Sequence, residues 1–326
     1  MWQEILEILR AKVAAGVEVR VMYDDVGCLF SLPTNYPRQL QAMGIKTIVN
    51  NRFRPLIAFQ MNNRDHRKIA VIDGKIGYTG GLNLADEYIN LINRYGHWKD
   101  AAIRLEGTAV STLTMTFLQL WNLARIVDLD FSQYLCRTQD KAKNDGLVIP
   151  YADDPTTHEN VGKNVYLNMI NKAHESICIT TPYLVPDDDL ITCLTLAAKS
   201  GVKVRLIIPT VGDHWYVHVL SQACCLPLLE AGCQVYEYSP GFMHSKTMLV
   251  DGEQAVIGSV NLDYRSLYML YESSVYVYHS HAVEQLHTDF MQTLKKCRRV
   301  ELSDIKETHW TAKIIRSFLR LIAPLV

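Results

Sequence analysis

Hydrophobic and polar positions along this chain form a pattern that occurs twice. Trp2–Gly16 (WQEILEILRAKVAAG) reads as a helix closed by a glycine, and VEVRVMYDD after it as an alternating strand. LITCLTLAAKSGVKVRLIIPT, from Leu190 to Thr210, repeats both. A second helix–strand pair, LQAMGIKTIVNN from Leu40, is matched by LLEAGCQVYEYS from Leu228. Each half then enters a hairpin, signalled by Asp73-Gly74 and Asp251-Gly252 between apolar strands, where a tight turn needs positive φ. Helices alternating with strands predict an α/β fold with a mixed, mostly parallel sheet in each half.

The two copies are unequal. A polar stretch rich in turn residues, Thr138–Gly162, links the halves, with Val148 and Ile149 already able to start a strand of the second. A first lobe over 1–147 and a second over 148–326 follow. After the link come a helix, Val165–His174, and a strand, Ile177–Pro186 (ICITTPYLVP), that the first half does not match. The first lobe is expected to lack that helix and strand. Since the strand belongs inside the sheet, its loss should expose backbone edge groups and apolar surface.

A length of 326 residues suits two domains of about 150 residues each. Lys and Arg total 33 against 34 for Asp and Glu, which argues against a generally basic nucleic-acid binder. The tail is the exception, with eight bases and three acids from Lys295 onward. Within it Trp310, Ile314, Phe318 and Ile322 follow helical spacing, with Lys313, Arg316 and Arg320 on another side. Such a basic amphipathic helix suits an anionic membrane surface, and equally a terminal helix docked on the protein's own core. Tyr183, Trp215 and Tyr216 are read as buried packing near the cleft, with lipid contact the alternative. No apolar run reaches the eighteen or so residues of a membrane span, and Glu4 and Glu7 interrupt any signal-peptide pattern. Eight cysteines without CxxC spacing read as thiols of a reducing, cytosol-facing protein.

The chemistry lies in the repeated hairpin. HRKIAVIDGKIGYTGGLN (His66–Asn83) and HSKTMLVDGEQAVIGSVN (His244–Asn261) share His, Lys, Asp, Gly and Asn at offsets 0, 2, 7, 14 and 17. At ~5% usage each, five such matches coincide about 3 × 10⁻⁷ of the time per position. Residues i and i+2 of a strand share a face, so His66 and Lys68 point the same way, as do His244 and Lys246. Paired about a pseudo-twofold, the copies would bring two imidazoles, two ammoniums and two Asn amides to one cleft. That set suits a phosphodiester. Lys68 and Lys246 offset its charge, and Asn83 and Asn261 donate hydrogen bonds as charge builds. One neutral imidazole attacks phosphorus while the other, protonated, donates to the leaving alkoxide. No carboxylate cluster with ligand spacing accompanies the motif, so no catalytic metal or other cofactor is expected.

Paired HxKx4Dx6G(G/S)xN motifs resemble the phospholipase D superfamily. The strings VMYDDVGC, NNRDHRKIAVIDGKIGYTGGLNLADEY, WKDAAIRLEG, TTPYLVPD, EYSPGFMHSK and NLDYRSL resemble bacterial cardiolipin synthases, over nearly the whole chain. The resemblance implies two α/β/α lobes around a shared site. It also implies phosphatidyl transfer between two phosphatidylglycerol molecules through a phosphohistidine, releasing glycerol. It makes His66 the nucleophile and His244 its acid–base partner, and Asp100 and Glu272 the acids that orient them. A strand-end salt bridge is the alternative for those two acids. Asp73 and Asp251 are expected to be structural, since the turn alone explains Asp before Gly. Gly80, Gly81, Gly258 and Ser259 either allow close backbone approach at the site or merely pack a tight turn. Cardiolipin synthases usually carry N-terminal transmembrane helices, so this chain reads as N-terminally shortened and peripheral at the cytoplasmic face of the membrane. A phospholipid hydrolase, a phosphatidylserine synthase, a nuclease, or a silent assembly module completed by a partner would be compatible with the same residues.

Overall fold

A computed structural model describes residues 1–29, 31–52, 63–125, 130–135, 145–157, 159–213 and 215–306. The tail helix expected around Trp310–Ile322 lies outside them, as do residues 138–144 and 158 of the inter-lobe stretch, Cys136 and the Trp215 side chain.

The first lobe runs α1 (Trp2–Ala14), β1 (Arg20–Asp24), α2 (Asp25–Cys28), α3 (Tyr36–Ala42), β2 (Lys46–Asn50), β3 (Ile69–Ile72), β4 (Ile76–Gly80), β5 (His97–Lys99), β6 (Ala102–Glu106) and α4 (Val110–Arg125). The second opens with β7 (Leu147–Asp153), α5 (Val161–Asn171), β8 (Ser176–Thr180), β9 (Leu184–Val185), α6 (Asp188–Lys199), β10 (Lys203–Pro209), α7 (Trp215–Glu230) and β11 (Gln234–Tyr238). It continues through β12 (Gly241–Met243), β13 (Thr247–Val250), β14 (Gln254–Gly258), β15 (Leu262–Asp263), α8 (Tyr264–Tyr268), β16 (Glu272–Tyr278), α9 (His281–Leu294), β17 (Cys297–Arg299) and α10 (Leu302–Lys306).

Helix α5 starts four residues ahead of its expected position, because the Asp153 carboxylate accepts the Gly162 amide at 3.0 and 2.9 Å and fixes the first turn. The expected strand Ile177–Pro186 is split into β8 and β9 around Pro182, which cannot donate to a ladder.

Eight strands form the second lobe's sheet in the order β17-β11-β10-β8-β13-β14-β16-β7. The sheet is mixed, but mostly parallel pairing does not hold: only β8–β10 and β10–β11 run parallel. Those pairs are the ones joined by crossover helices α6 and α7. The motif hairpin β13–β14 has a connection too short for anything but reversal.

The first lobe reproduces this register position by position. Arg20 faces Lys46 as Arg205 faces Gln234, Ile69 faces Thr79 as Thr247 faces Ile257, and Gly80 faces Ala102 as Gly258 faces Ser274. Its sheet is nevertheless in two pieces, β1-β2 and β3-β4-β6. In the second lobe β8 lies between β10 and β13 and pairs with both. Among the described residues no strand joins β1 to β3.

Both lobes contribute to one apolar cluster. Ile103, Leu105, Val110 and Leu113 pack with Leu249, Ala255, Val275 and Val277, so the faces carrying the two motifs are held against each other. A small separate cluster of Leu6, Tyr36, Leu40 and Ile45 fills the space by β1 and β2.

Candidate active site

The two motif strands enter the site by the same device. The His66 amide donates to the Tyr271 carbonyl at 2.9 Å, and the His244 amide to the Lys99 carbonyl at 2.7 Å. Tyr271 and Lys99 are the residues before Glu272 and Asp100, so each lobe's motif docks onto the other lobe's carboxylate strand. The histidine side chains follow. His66 Nδ1 lies 2.9 Å from Glu272 Oε1, and His244 Nδ1 lies 2.6 Å from Asp100 Oδ2. Both pairs therefore cross between lobes. An ionised carboxylate at Nδ1 requires a proton there, which leaves the Nε2 lone pair for chemistry in the neutral ring.

Asp100 and Glu272 are almost fully buried, whereas the His66 side chain is 26% exposed and that of His244 8%. His66 is thus the more accessible of the two rings. Burial raises the Asp100 pKa, but Lys246, His244 and the Ala101 amide outweigh it and hold the carboxyl below its usual range. The lysines fold back, each Nζ donating to the carbonyl of its own motif histidine: Lys68 to His66 at 2.5 Å, and Lys246 to His244. Burial pushes Lys68 down to about 8, against the pull of Glu272, Asp100 and Asp65. Burial also lowers Lys246, to about 7. It lowers His244 to about 3, with Lys246 adding to the effect and Asp100 opposing it. Burial thus disfavours the charged forms of these groups, and an anion placed among them would favour those forms.

The glycines are explained by the carboxylate strands. A Cβ on Gly81 would sit 2.2 Å from Asp100 Oδ1, and one on Gly80 2.4 Å from the Ala101 carbonyl oxygen. A Cβ on Gly258 would meet the Ser274 hydroxyl and, at 2.5 Å, the Ser273 carbonyl oxygen. At the position equivalent to Gly81, Ser259 donates its hydroxyl to Glu272. Gly81 with Asp100 and Ser259 with Glu272 are thus two matched ways of placing one carboxylate. Asp73 and Asp251 occupy left-handed turn positions at φ 54° and 53°, followed by Gly74 and Gly252 at 64° and 69°. Asn83 Nδ2 donates to the Tyr88 hydroxyl at 2.6 Å, while the buried Asn261 Oδ1 has no hydrogen-bond partner among the described residues.

Several contributors were not singled out from the sequence. Tyr88, Trp98 and Phe242 ring His244 at centroid distances of 5.2, 5.0 and 5.8 Å, forming an apolar wall that accounts for its burial. Asp24, at the end of β1, accepts the Asp65 amide at 3.2 Å and so steadies the approach to His66. Asp263 caps α8 through the Ser266 amide at 2.8 Å. The string VMYDD holds Asp24, but nothing local shows that it reaches across to residue 65. Tyr183 donates to Asp213 at 2.6 Å and packs with Tyr216 in a small apolar cluster.

A model of the family described as "Cardiolipin synthase, PLD-like domain" matches residues 2–121 and 166–294. The chain belongs to this family. A cardiolipin synthase of Alkalihalophilus pseudofirmus is 37% identical over 324 residues, covering 99% of this chain. An uncharacterized protein of Streptococcus mutans is 43% identical over 326 residues, covering all of this chain and 70% of its own length. The chain spans 64% of the length of the Alkalihalophilus cardiolipin synthase it matches. The solved phosphatidylserine synthase of Haemophilus influenzae shares the fold, with a TM-score of 0.73 at 12% identity, over 99% of this chain and 84% of that one. No three His, Cys, Asp or Glu side chains gather in a metal-binding arrangement among the described residues. Nor is any described helix long and apolar enough to cross a membrane.

Proposed function

We propose that this chain is a phosphatidyltransferase of the cardiolipin synthase type. In this reading it moves the phosphatidyl group of one phosphatidylglycerol to a second and releases glycerol. The observation that carries the reading is the crossed pair of carboxylate–histidine contacts, His66–Glu272 and His244–Asp100, at 2.9 and 2.6 Å. His66 Nε2 attacks phosphorus, forming the phosphohistidine bond as the bond to glycerol breaks. His244, protonated once the substrate anion is bound, gives its proton to the leaving alkoxide. His244 then takes a proton from the incoming phosphatidylglycerol hydroxyl, and that oxygen displaces His66. Lys68 and Lys246 hold the non-bridging oxygens, with Asn83 and Asn261 as further donors.

His66 as nucleophile agrees with its greater exposure, and His244 as acid with a ring shielded by Tyr88, Trp98 and Phe242. The substrate is an anionic lipid, so the reaction takes place at a membrane surface, and we place that surface on the cytoplasmic side.

Mass spectrometry of products from phosphatidylglycerol in detergent micelles, with and without chelator, tests the proposal. Cardiolipin with glycerol, insensitive to the chelator, is the expected result. Phosphatidate alone would mean that water replaces the second lipid, and loss of product with chelator would overturn the metal-free scheme.

A further inference from the structure

Tyr88 joins the two motifs although it belongs to neither. It sits in a short 3₁₀ turn, Asp86–Ile89, a few residues past Asn83. Asn90 closes that turn in the left-handed region at φ 60°. The Asn90 side chain clamps Trp98, accepting its amide at 2.7 Å and donating to its carbonyl at 3.0 Å. The turn is thereby fixed to β5, just ahead of Asp100. From this base the Tyr88 ring packs on Trp98 at a centroid distance of 4.3 Å. It meets the His244 ring edge to face at 5.2 Å, with an interplanar angle of 82°. Its hydroxyl accepts the Asn83 amide at 2.6 Å. In the second lobe the residue at the same offset from Asn261 is Ser266, which lies in α8 with its amide on Asp263. The phenol thus belongs to one lobe, in a site whose histidines, lysines, asparagines and acids come in pairs.

A hydroxyl that accepts from Asn83 keeps its own proton for another acceptor, and accepting a hydrogen bond polarises it into a stronger donor. Burial raises the phenol to about 12, against the Asn83 amide and with Asp100, Glu87 and Asp213 adding, so it stays protonated at neutral pH. Asn83 has a second N–H. An oxygen bound there would lie about 5 Å from the Tyr88 oxygen, because the two donors of one amide diverge by about 120°. The phenol therefore addresses the next oxygen of the same phosphoryl group, on the side where His244 stands. We propose that Tyr88 is a further catalytic residue, donating its phenolic hydrogen bond to a non-bridging oxygen of the phosphodiester as charge builds there. This rests on the phosphatidyl-transfer reading above. The phenol keeps its proton throughout, so no covalent bond to it forms or breaks. Asn90 and Trp98 hold it in place before substrate arrives, as stabilisation of this kind requires.

Tyr88→Phe keeps the ring against His244 and removes only the hydroxyl. With phosphatidylglycerol micelles it should lower kcat by about 10²-fold at an unchanged melting temperature, with KM moving by less than about twofold. Because the phenol also holds Asn83, the same change is made in an Asn83→Ala background. A hydroxyl that meets the phosphoryl group itself should cost about tenfold more there. No further loss would mean that Tyr88 only holds Asn83, and would overturn the proposal. So would an unchanged kcat in Tyr88→Phe, or a rise in KM alone. Calorimetry with vanadate repeats the comparison without turnover. Tyr88→Phe should weaken vanadate binding by about tenfold, and equal affinity would also overturn the proposal. If the unaltered chain makes no cardiolipin while Tyr88→Phe still weakens vanadate, the transfer reading fails and Tyr88 stands as a phosphoryl ligand.

Discussion

Asp100 and Glu272 act through the histidines they touch, so neutralising them should cost rate while leaving the fold in place. Asp100→Asn, which keeps the size but accepts only through one oxygen, is expected to lower kcat on the order of 10³-fold or more. His66→Ala and His244→Ala should each abolish turnover, since neither role has a substitute nearby. Wild-type rates in both would refute the paired-histidine scheme. Lys68→Ala should lower kcat by about 10²–10³-fold with an unchanged melting temperature, because it removes charge from a site that already disfavours it. The depressed His244 value also has a sign in stability. Between about 3 when folded and 6.5 when unfolded, the unfolded chain binds the extra proton. Stability therefore rises with pH through that window and is lost as pH falls. His244→Gln should flatten the slope of stability against pH below 6.5, measured by urea unfolding. Anion binding should reverse the depression. Calorimetry with vanadate at about pH 8, in two buffers of different ionisation enthalpy, is expected to show net proton uptake. A heat that does not depend on the buffer would count against it.

At the scale of elements, the two hairpins are nearly the same object in different surroundings. An aspartate before glycine explains both turns, and the sequence read Asp73 and Asp251 alike for that reason. Among the described residues only Asp251 finds a strand start within reach, and its three amide bonds tie the hairpin to β8. Alanine at either position incurs the same left-handed backbone cost, so the difference between the two substitutions isolates those bonds. Asp251→Ala should destabilise the protein by about 2 kcal/mol more than Asp73→Ala in chemical unfolding. Equal losses would show that the turn alone is responsible. Gly81→Ala is expected to displace Asp100 and depress turnover, because its Cβ would fall 2.2 Å from Asp100 Oδ1. The hydroxyl of Ser259 shows that the equivalent position accepts a side chain when the acid is the longer Glu272.

Across the whole molecule, stability is unevenly spread. The second lobe has a continuous eight-stranded sheet and a large buried core reaching from Tyr166 to Ile305. Among the described residues, the outer part of the first lobe has a two-stranded fragment and a small apolar cluster that includes Leu6, Tyr36, Leu40 and Ile45. Amides of β1 and β2 should exchange well before those of β8, β10 and β13, and uniform protection would contradict this. The shared cluster of Ile103, Leu105 and Leu113 with Leu249 and Val275 keeps β3, β4 and β6 with the second lobe. The hairpin bearing His66 should therefore stay ordered when α1 to β2 opens.

Much of this was legible in the linear chain, because it depends on neighbours. Spacing of two residues puts His66 with Lys68 and His244 with Lys246 on one strand face. Asp-Gly dictates the turns at Asp73-Gly74 and Asp251-Gly252. Parallel and antiparallel neighbours were not legible, since α/β alternation does not say how many hairpins return within the sheet. The crossed pairing was decided only by tertiary structure. His66 and Glu272 are 206 residues apart, and His244 and Asp100 are 144 apart. Each contact exists because an apolar seam docks one lobe's motif onto the other's carboxylate strand. Burial by that docking, and by Tyr88, Trp98 and Phe242, lowers the His244 and Lys246 pKa values, and no spacing along the chain encodes it.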